Sequence, residues 1–175
     1  MDTKENKIKQ YIVKELLPLI VLGVIVWYGT IFFIGFTTVH GESMEPTLQE
    51  QSQYFIQKQA YLWGKPQYKD IVIIEVTELE ERYLIKRVIG IEGDLIEIKE
   101  NELYRNGEKI QEPYILEKMD TEDFIVKVPK HSVFVMGDNR NNSMDGRELG
   151  CLPCEDIYGK VTHQVDSIFR MKKIK

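Results

Sequence analysis

The sequence predicts a mainly β domain carried on a single N-terminal transmembrane helix. Three observations lead there. One uncharged apolar run is long enough to cross a bilayer. Beyond it, short segments rich in β-branched and aromatic residues recur between turn signals. None of those later segments holds a helical period for long.

The apolar run comes first. No Asp, Glu, Lys or Arg occurs from Leu16 to Gly41, and Leu16 to Phe36 reads LLPLIVLGVIVWYGTIFFIGF. As a helix these 21 residues span roughly 31 Å at about 1.5 Å each, the thickness of a bilayer hydrocarbon core. Pro18 lies in the first turn, where a helix tolerates it. A cleavable leader has a shorter apolar core and an A-x-A-like site, whereas this run ends in FTTVHGE, so a retained anchor is expected. Lys4, Lys7, Lys9 and Lys14 precede the run, and Thr37 to Gln57 holds no Lys or Arg. The positive-inside rule then puts residues 1–15 in the cytoplasm, 16–36 in the cell membrane as a single pass, and 37–175 on the extracytoplasmic side.

The β elements follow in order. Asp70–Val76, Tyr83–Ile91, Asp94–Glu100, Phe124–Val128 and Ser132–Gly137 are each short and rich in strand-forming residues. Asn106-Gly107 separates two alternating arms in ELYRNGEKI, a two-residue hairpin signal. The expected product is a bent, mostly antiparallel sheet. Of 175 residues, 28 are acidic and 23 basic, for a net charge of -5. With no basic excess to neutralise phosphates, nucleic acid is not the expected partner.

Ser43 stands in HGESMEPTLQE, just past the anchor. A serine hydroxyl is a weak nucleophile without a base. His40, His131 and His163 sit in no recognisable triad context, and Gly41-Glu42-Ser43-Met44-Glu45 breaks the G-x-S-x-G elbow. Lysine can serve if it is neutral, which needs on the order of 4 kcal/mol of help from burial. Lys86 in YLIKRVIGI shares a strand face with Leu84 and Val88. Arg87 points to the other face, and its guanidinium stays charged. A strand lysine also commonly guards an edge or snorkels to water, and strand context alone favours that reading. A third stretch, VFVMGDNRNNSMDGRELG (Val133–Gly150), shifts the balance. It packs Arg140, Ser143, Asp145 and Arg147 into one polar turn.

Taken together, GESMEPTL, YKDIVIIEV, YLIKRVIGIEGD and MGDNRNNSMDGRELG resemble, in order and spacing, the sequence boxes of bacterial type I signal peptidases. The resemblance covers nearly the whole chain, anchor included. It implies that residues 37–175 are a β-rich catalytic domain of the signal peptidase type. The activity it implies is serine endopeptidase, removing signal peptides from secretory preproteins after small residues at -1 and -3. It implies Ser43 as nucleophile, Lys86 as general base and Ser143 as a hydroxyl orienting the amine. Asp145 and Arg147 match a buttressing charged pair, and Gly137, Asp138, Asn139 and Arg140 match a structural turn. Gly41 stands where some members carry a serine that donates to the oxyanion. Lys69 replaces a common glycine, while Asn141 and Gly146 replace residues often Asp and Ser.

The expected partners are signal peptides and the lipid bilayer, with the chain a monomer. Met44, Leu48, Tyr61, Leu62 and Trp63 either dip into the interface or pack in the core. No cofactor and no metal are expected. Cys151 and Cys154, spaced C-x-x-C without a βαβ context or paired ligands, point to a local disulfide or unpaired thiols. Two rivals share some of these features. Self-cleaving Ser/Lys repressors need a DNA-binding head where this chain has an anchor. A membrane-anchored β module that only binds exported chains would leave Ser43 and Lys86 idle.

Overall fold

The computed structural model describes residue 9 and residues 11–77, 83–167 and 170–174. Lys4 and Lys7, part of the basic flank, lie outside them. A continuous helix over Ile12–Phe33, its first five residues π-helical, is long and apolar enough to cross a membrane. Ile34 N–H still donates to Thr30 O, but its backbone is already extended at φ -118° and ψ 140°. Ile34–Phe36, expected as the end of the helix, instead begin strand β1 (Ile34–Thr38). Apolar content cannot tell helix from strand here. The β-branched Ile34, Thr37 and Thr38 find backbone partners in β2 (Gln53–Gln57), and that ladder decides.

The strands expected from the sequence are present as β3 (Ile71–Glu75), β4 (Tyr83–Ile91), β5 (Leu95–Lys99), β8 (Phe124–Lys127) and β9 (Ser132–Met136). The hairpin joins β6 (Glu102–Arg105) to β7 (Glu108–Lys109). Asn106 at φ 55° and Gly107 at φ 82° occupy its turn, the left-handed pair a tight hairpin requires. Four strands lacked a sequence signal: β2, β10 (Leu152–Pro153), β11 (Ile157–Ser167) and β12 (Arg170–Lys173). The register of β11 shifts near Gly159 and again between Val161 and His163, which scrambles the period-two pattern a reader would look for.

Every strand pair among the described residues is antiparallel. The larger sheet runs β1-β2-β11-β3-β4-β9-β10, with β12 on β11, and the smaller runs β7-β6-β5-β8. One core cluster joins Val39, Met44 and Leu48 to β2 and β3, so the chain leaving β1 is clamped by its own apolar residues. A second cluster packs Val72 and Ile74 with Leu84, Val88 and Val135. A third fills the space between the sheets with Ile89, Ile96, Ile98 and Phe134. The sheets approach closely at Gly90, where a Cβ would lie 2.8 Å from Ile96 and 2.9 Å from Val128.

Candidate active site

The turn after β1 is held at both ends. Met44 and Leu48 sink into the core, Glu45 N–H donates to Glu42 O at 3.0 Å, and Leu48 N–H donates to Met44 O at 2.9 Å. Ser43 therefore stands half-buried on a fixed loop. Lys86 reaches it from the middle of β4, with its amine Nζ 2.7 Å from Ser43 Oγ. Lys86 is 3% exposed and alternates along the strand with buried Leu84 and Val88.

The turn after β9 locks this arrangement. Asn139 N–H donates to Ser43 O at 3.0 Å, and Asn139 Nδ2 donates to Glu42 O at 3.2 Å. Gly137 leaves room for the approach: a Cβ there would lie 2.5 Å from Ser43 O and 2.2 Å from Ser143 Oγ. Its N–H donates to Asp145 at 2.9 Å. Asp145 is fully buried and also accepts from Arg147 Nε and Nη2, both at 2.9 Å. Arg147 Nη2 in turn donates to Arg140 O at 2.6 Å, which closes the loop on itself.

Two further ion pairs went unread in the sequence. Arg87, set aside there because it cannot be a base, is fully buried and grips Asp138 through Nε and Nη2 at 2.8 and 2.7 Å. Thr47 Oγ1 donates to the same carboxylate at 2.5 Å and accepts from Arg87 Nη2 at 3.3 Å. Adjacent residues of β4 thus do two jobs: Lys86 meets Ser43, and Arg87 pins the far end of the Ser43 loop. Arg140 pairs with Glu112 through both terminal nitrogens. Burial pulls the Arg140 guanidinium down, but Glu112's hydrogen bonds and charge outweigh it and the net direction is up. Tyr114 stacks 4.1 Å from Arg87, and burial followed by the Glu112 charge raises its phenol well above the ordinary range. A carboxylate in the GDNR turn demands a buried cation, but its partner lies 51 residues away in sequence.

Ser143 Oγ is buried beside Gly137 and makes no hydrogen bond among the described residues, to Lys86 or to any other group. Gly41 is exposed at φ 86°, a left-handed conformation that suits glycine, and it brings no hydroxyl to the site. Lys69 holds φ 73°, which explains why a glycine suits that position. Gly146 packs so that a Cβ would lie 2.7 Å from Val135 O, so a serine would not fit without a shift. Cys151 and Cys154 are free thiols, each pushed up by burial. Of the apolar residues with two expected fates, Met44 and Leu48 are core, Tyr61 is half-buried, and Leu62 and Trp63 are exposed. A groove of about 660 Å³ runs along β1, lined among others by Thr38, His40, Ile56, Ile73 and Ile85, the residue before Lys86 in β4.

A buried amine in contact with a serine hydroxyl is the equipment of a serine hydrolase with a lysine base. The family model described as signal peptidase, peptidase S26, matches residues 10–165. The chain is 36% identical over 170 residues to signal peptidase I P of Bacillus subtilis subsp. natto, covering 91% of each. It is also 36% identical over 155 residues to probable signal peptidase I-1 of Synechocystis sp., covering 84% of this chain and 79% of that one. The crystal structure of a signal peptidase I from Enterococcus faecalis V583 matches with 30% identity and a TM-score of 0.50, over 56% of this chain and 97% of that chain. The chain belongs to the signal peptidase family, peptidase S26.

Proposed function

We propose that this protein is a membrane-anchored serine endopeptidase that removes N-terminal signal peptides from exported preproteins, cleaving after small residues at -1 and -3. The observation that carries the reading is the 2.7 Å contact between Lys86 Nζ and Ser43 Oγ inside a chain of this family. Neutral Lys86 takes the Ser43 proton as Oγ attacks the scissile carbonyl carbon. The resulting ammonium returns that proton to the leaving amine as the peptide bond breaks. Lys86 then takes a proton from water, whose oxygen attacks the ester, and gives it back to Oγ as the acyl group leaves. The Ser43 backbone N–H is one oxyanion donor. Gly41 supplies no side-chain donor, so any second one comes from elsewhere in the site. Asp145 and Arg147 buttress the loop, and Ser143, buried beside Gly137, is the hydroxyl we assign to orient the amine.

The groove supports an extended substrate. Its Ile56, Ile73 and Ile85 lining suits small apolar side chains, while the open edge of β1 offers backbone groups to a peptide strand. The basic flank before the helix supports a cytoplasmic N-terminus and a catalytic domain on the extracytoplasmic side. Ser43 follows Phe33 by ten residues, so it lies within roughly 33 Å of the helix end at about 3.3 Å per residue.

Cleavage of a preprotein by the detergent-solubilised protein tests the reading, with Ser43→Ala and Lys86→Ala alongside. Wild type is expected to release the signal peptide, and both variants to lose at least a thousandfold in kcat/KM. A silent wild type, or either variant cleaving like wild type, overturns the assignment. An ascending limb of kcat/KM near about pH 10, the free lysine range, would contradict a neutral buried amine.

A further inference from the structure

The connection from β7 to β8 holds polar groups that the cleavage chemistry does not use. Residues 110–123 form neither helix nor strand, and irregular connections of about that length are uncommon in a compact domain unless they serve a function. Both ends stay with the smaller sheet: Ile110 N–H donates to Leu103 O at 2.8 Å, and Thr121 N–H donates to Asn101 Oδ1 at 3.1 Å. Between those ends the chain crosses to the turn after β9. Leu116 N–H donates to Asp138 O at 3.3 Å. Asn141 accepts from Asp120 N–H at 2.8 Å and donates to Glu117 Oε1 and Lys118 O at 2.8 and 3.1 Å. An amide can do both, whereas an ionised carboxylate there would have no proton to give.

Glu112 makes the strongest of these ties. Its side chain is 5% exposed, and it takes both terminal nitrogens of the fully buried Arg140 guanidinium. Arg140 Nε is committed to Gly137 O at 3.0 Å, so the guanidinium is fixed between the turn and the crossing segment. A bidentate pair of this kind sets geometry as well as charge. The same carboxylate accepts from Tyr114 OH at 2.8 Å, and the Tyr114 ring lies 4.1 Å from the guanidinium of Arg87, the neighbour of Lys86. One carboxylate thus reaches both halves of the site. On one side is the turn whose Asn139 N–H donates to Ser43 O at 3.0 Å, and on the other is β4, which carries Lys86. We propose that residues 112–120 are a strap that positions the catalytic pair, with Glu112 fastening it to Arg140 and Tyr114. Glu112 touches no reacting atom. It is a positioning residue, acting through the Asn139–Ser43 hydrogen bond and through Arg87. The smaller sheet, which supplies neither Ser43 nor Lys86, takes part in catalysis by this route. The effect on turnover rests on the peptidase reading; the tie between strap and turn does not.

The test uses the full chain in non-ionic micelles and the variant Glu112→Gln, which leaves one acceptor oxygen and sets an amide NH2 against the guanidinium. With a preprotein substrate, kcat is expected to fall at least tenfold while KM stays within twofold of wild type, because a displaced nucleophile weakens the transition state and not substrate binding. Amide hydrogen exchange read residue by residue by NMR reports the tie itself. Asn139 N–H should exchange at least tenfold faster in the variant. Val88 N–H, which donates to Asp70 O at 2.8 Å, should stay within twofold. Tyr114→Phe keeps the ring on Arg87 and removes only the hydroxyl bond to Glu112, so the same pattern should appear at about threefold in kcat. Unchanged kcat and unchanged Asn139 exchange in both variants overturn the strap. Val88 exchanging faster in step with Asn139 in both variants also overturns it, since Glu112 would then serve folding alone. A raised KM with kcat intact overturns it as well. A wild type that cleaves nothing refutes the peptidase reading, while exchange at Asn139 still decides the strap.

Discussion

Replacing Asp138 with alanine tests the claim that a buried ion pair positions the Ser43 loop. Asp138 and Arg87 are both essentially solvent-free, and the carboxylate takes two guanidinium bonds plus the Thr47 hydroxyl. Breaking a buried pair on one side costs about 3–5 kcal/mol, because the surviving charge stays desolvated. Losing the Thr47 bond adds about 1 kcal/mol. Arg87 retains Lys69 O at 3.2 Å and the face of Tyr114, which offset about 1–2 kcal/mol. The expected net is about 2–5 kcal/mol. For a chain of this size that corresponds to a fall in Tm of about 4–20 °C. Thermal unfolding followed by circular dichroism in non-ionic micelles reads it directly. Arg87→Met combined with Asp138→Leu removes both charges and should recover to within about 2 kcal/mol of wild type. A loss below about 3 °C for Asp138→Ala would refute the reasoning. So would a double variant falling as far as the sum of the two single changes.

Gly137→Ala places a Cβ 2.5 Å from Ser43 O, a backbone atom that cannot rotate away, so the serine loop must move. A displacement of about 1 Å at a reacting group costs about a hundredfold, so kcat in the peptide assay should fall by about that factor. Lys69→Gly should raise stability by about 1 kcal/mol in the same melts, because Lys69 holds φ 73°, where L side chains are strained. Asp94 carries a pH prediction. Burial alone would raise its carboxyl, but bonds from Arg105, Ile91 N–H and Asn106 outweigh that and hold it below the ordinary value of 3.8. A depressed folded value means stability present above the ordinary carboxylate range and lost as pH falls through the folded one. Melting temperatures taken downward from about pH 4 should therefore drop more steeply for wild type than for Asp94→Asn.

The parts legible in the sequence were the local ones. β4 coincides with YLIKRVIGI, and the Asn106-Gly107 turn forms at positive φ, because period-two patterning and turn chemistry act over a few neighbours. β1 and β11 escaped notice for the opposite reason. Ile34–Phe36 are as greasy as the helix before them, and only pairing with β2 makes them strand. In β11 the register shifts erase the alternation that marks a strand.

By itself the sequence determined a long uncharged run before a β-rich domain, and ordered boxes that point to Ser43 and Lys86. Whether a lysine on a strand is a surface charge or a buried amine was undecidable there. Burial depends on a loop 43 residues away. The tertiary structure decided it, setting Lys86 Nζ on Ser43 Oγ, and it gave Arg87 the task of holding that loop through Asp138 and Thr47. Desolvation and ion pairing depend on three-dimensional neighbours, and strand pattern and turn residues specify only which side of the backbone a group leaves from.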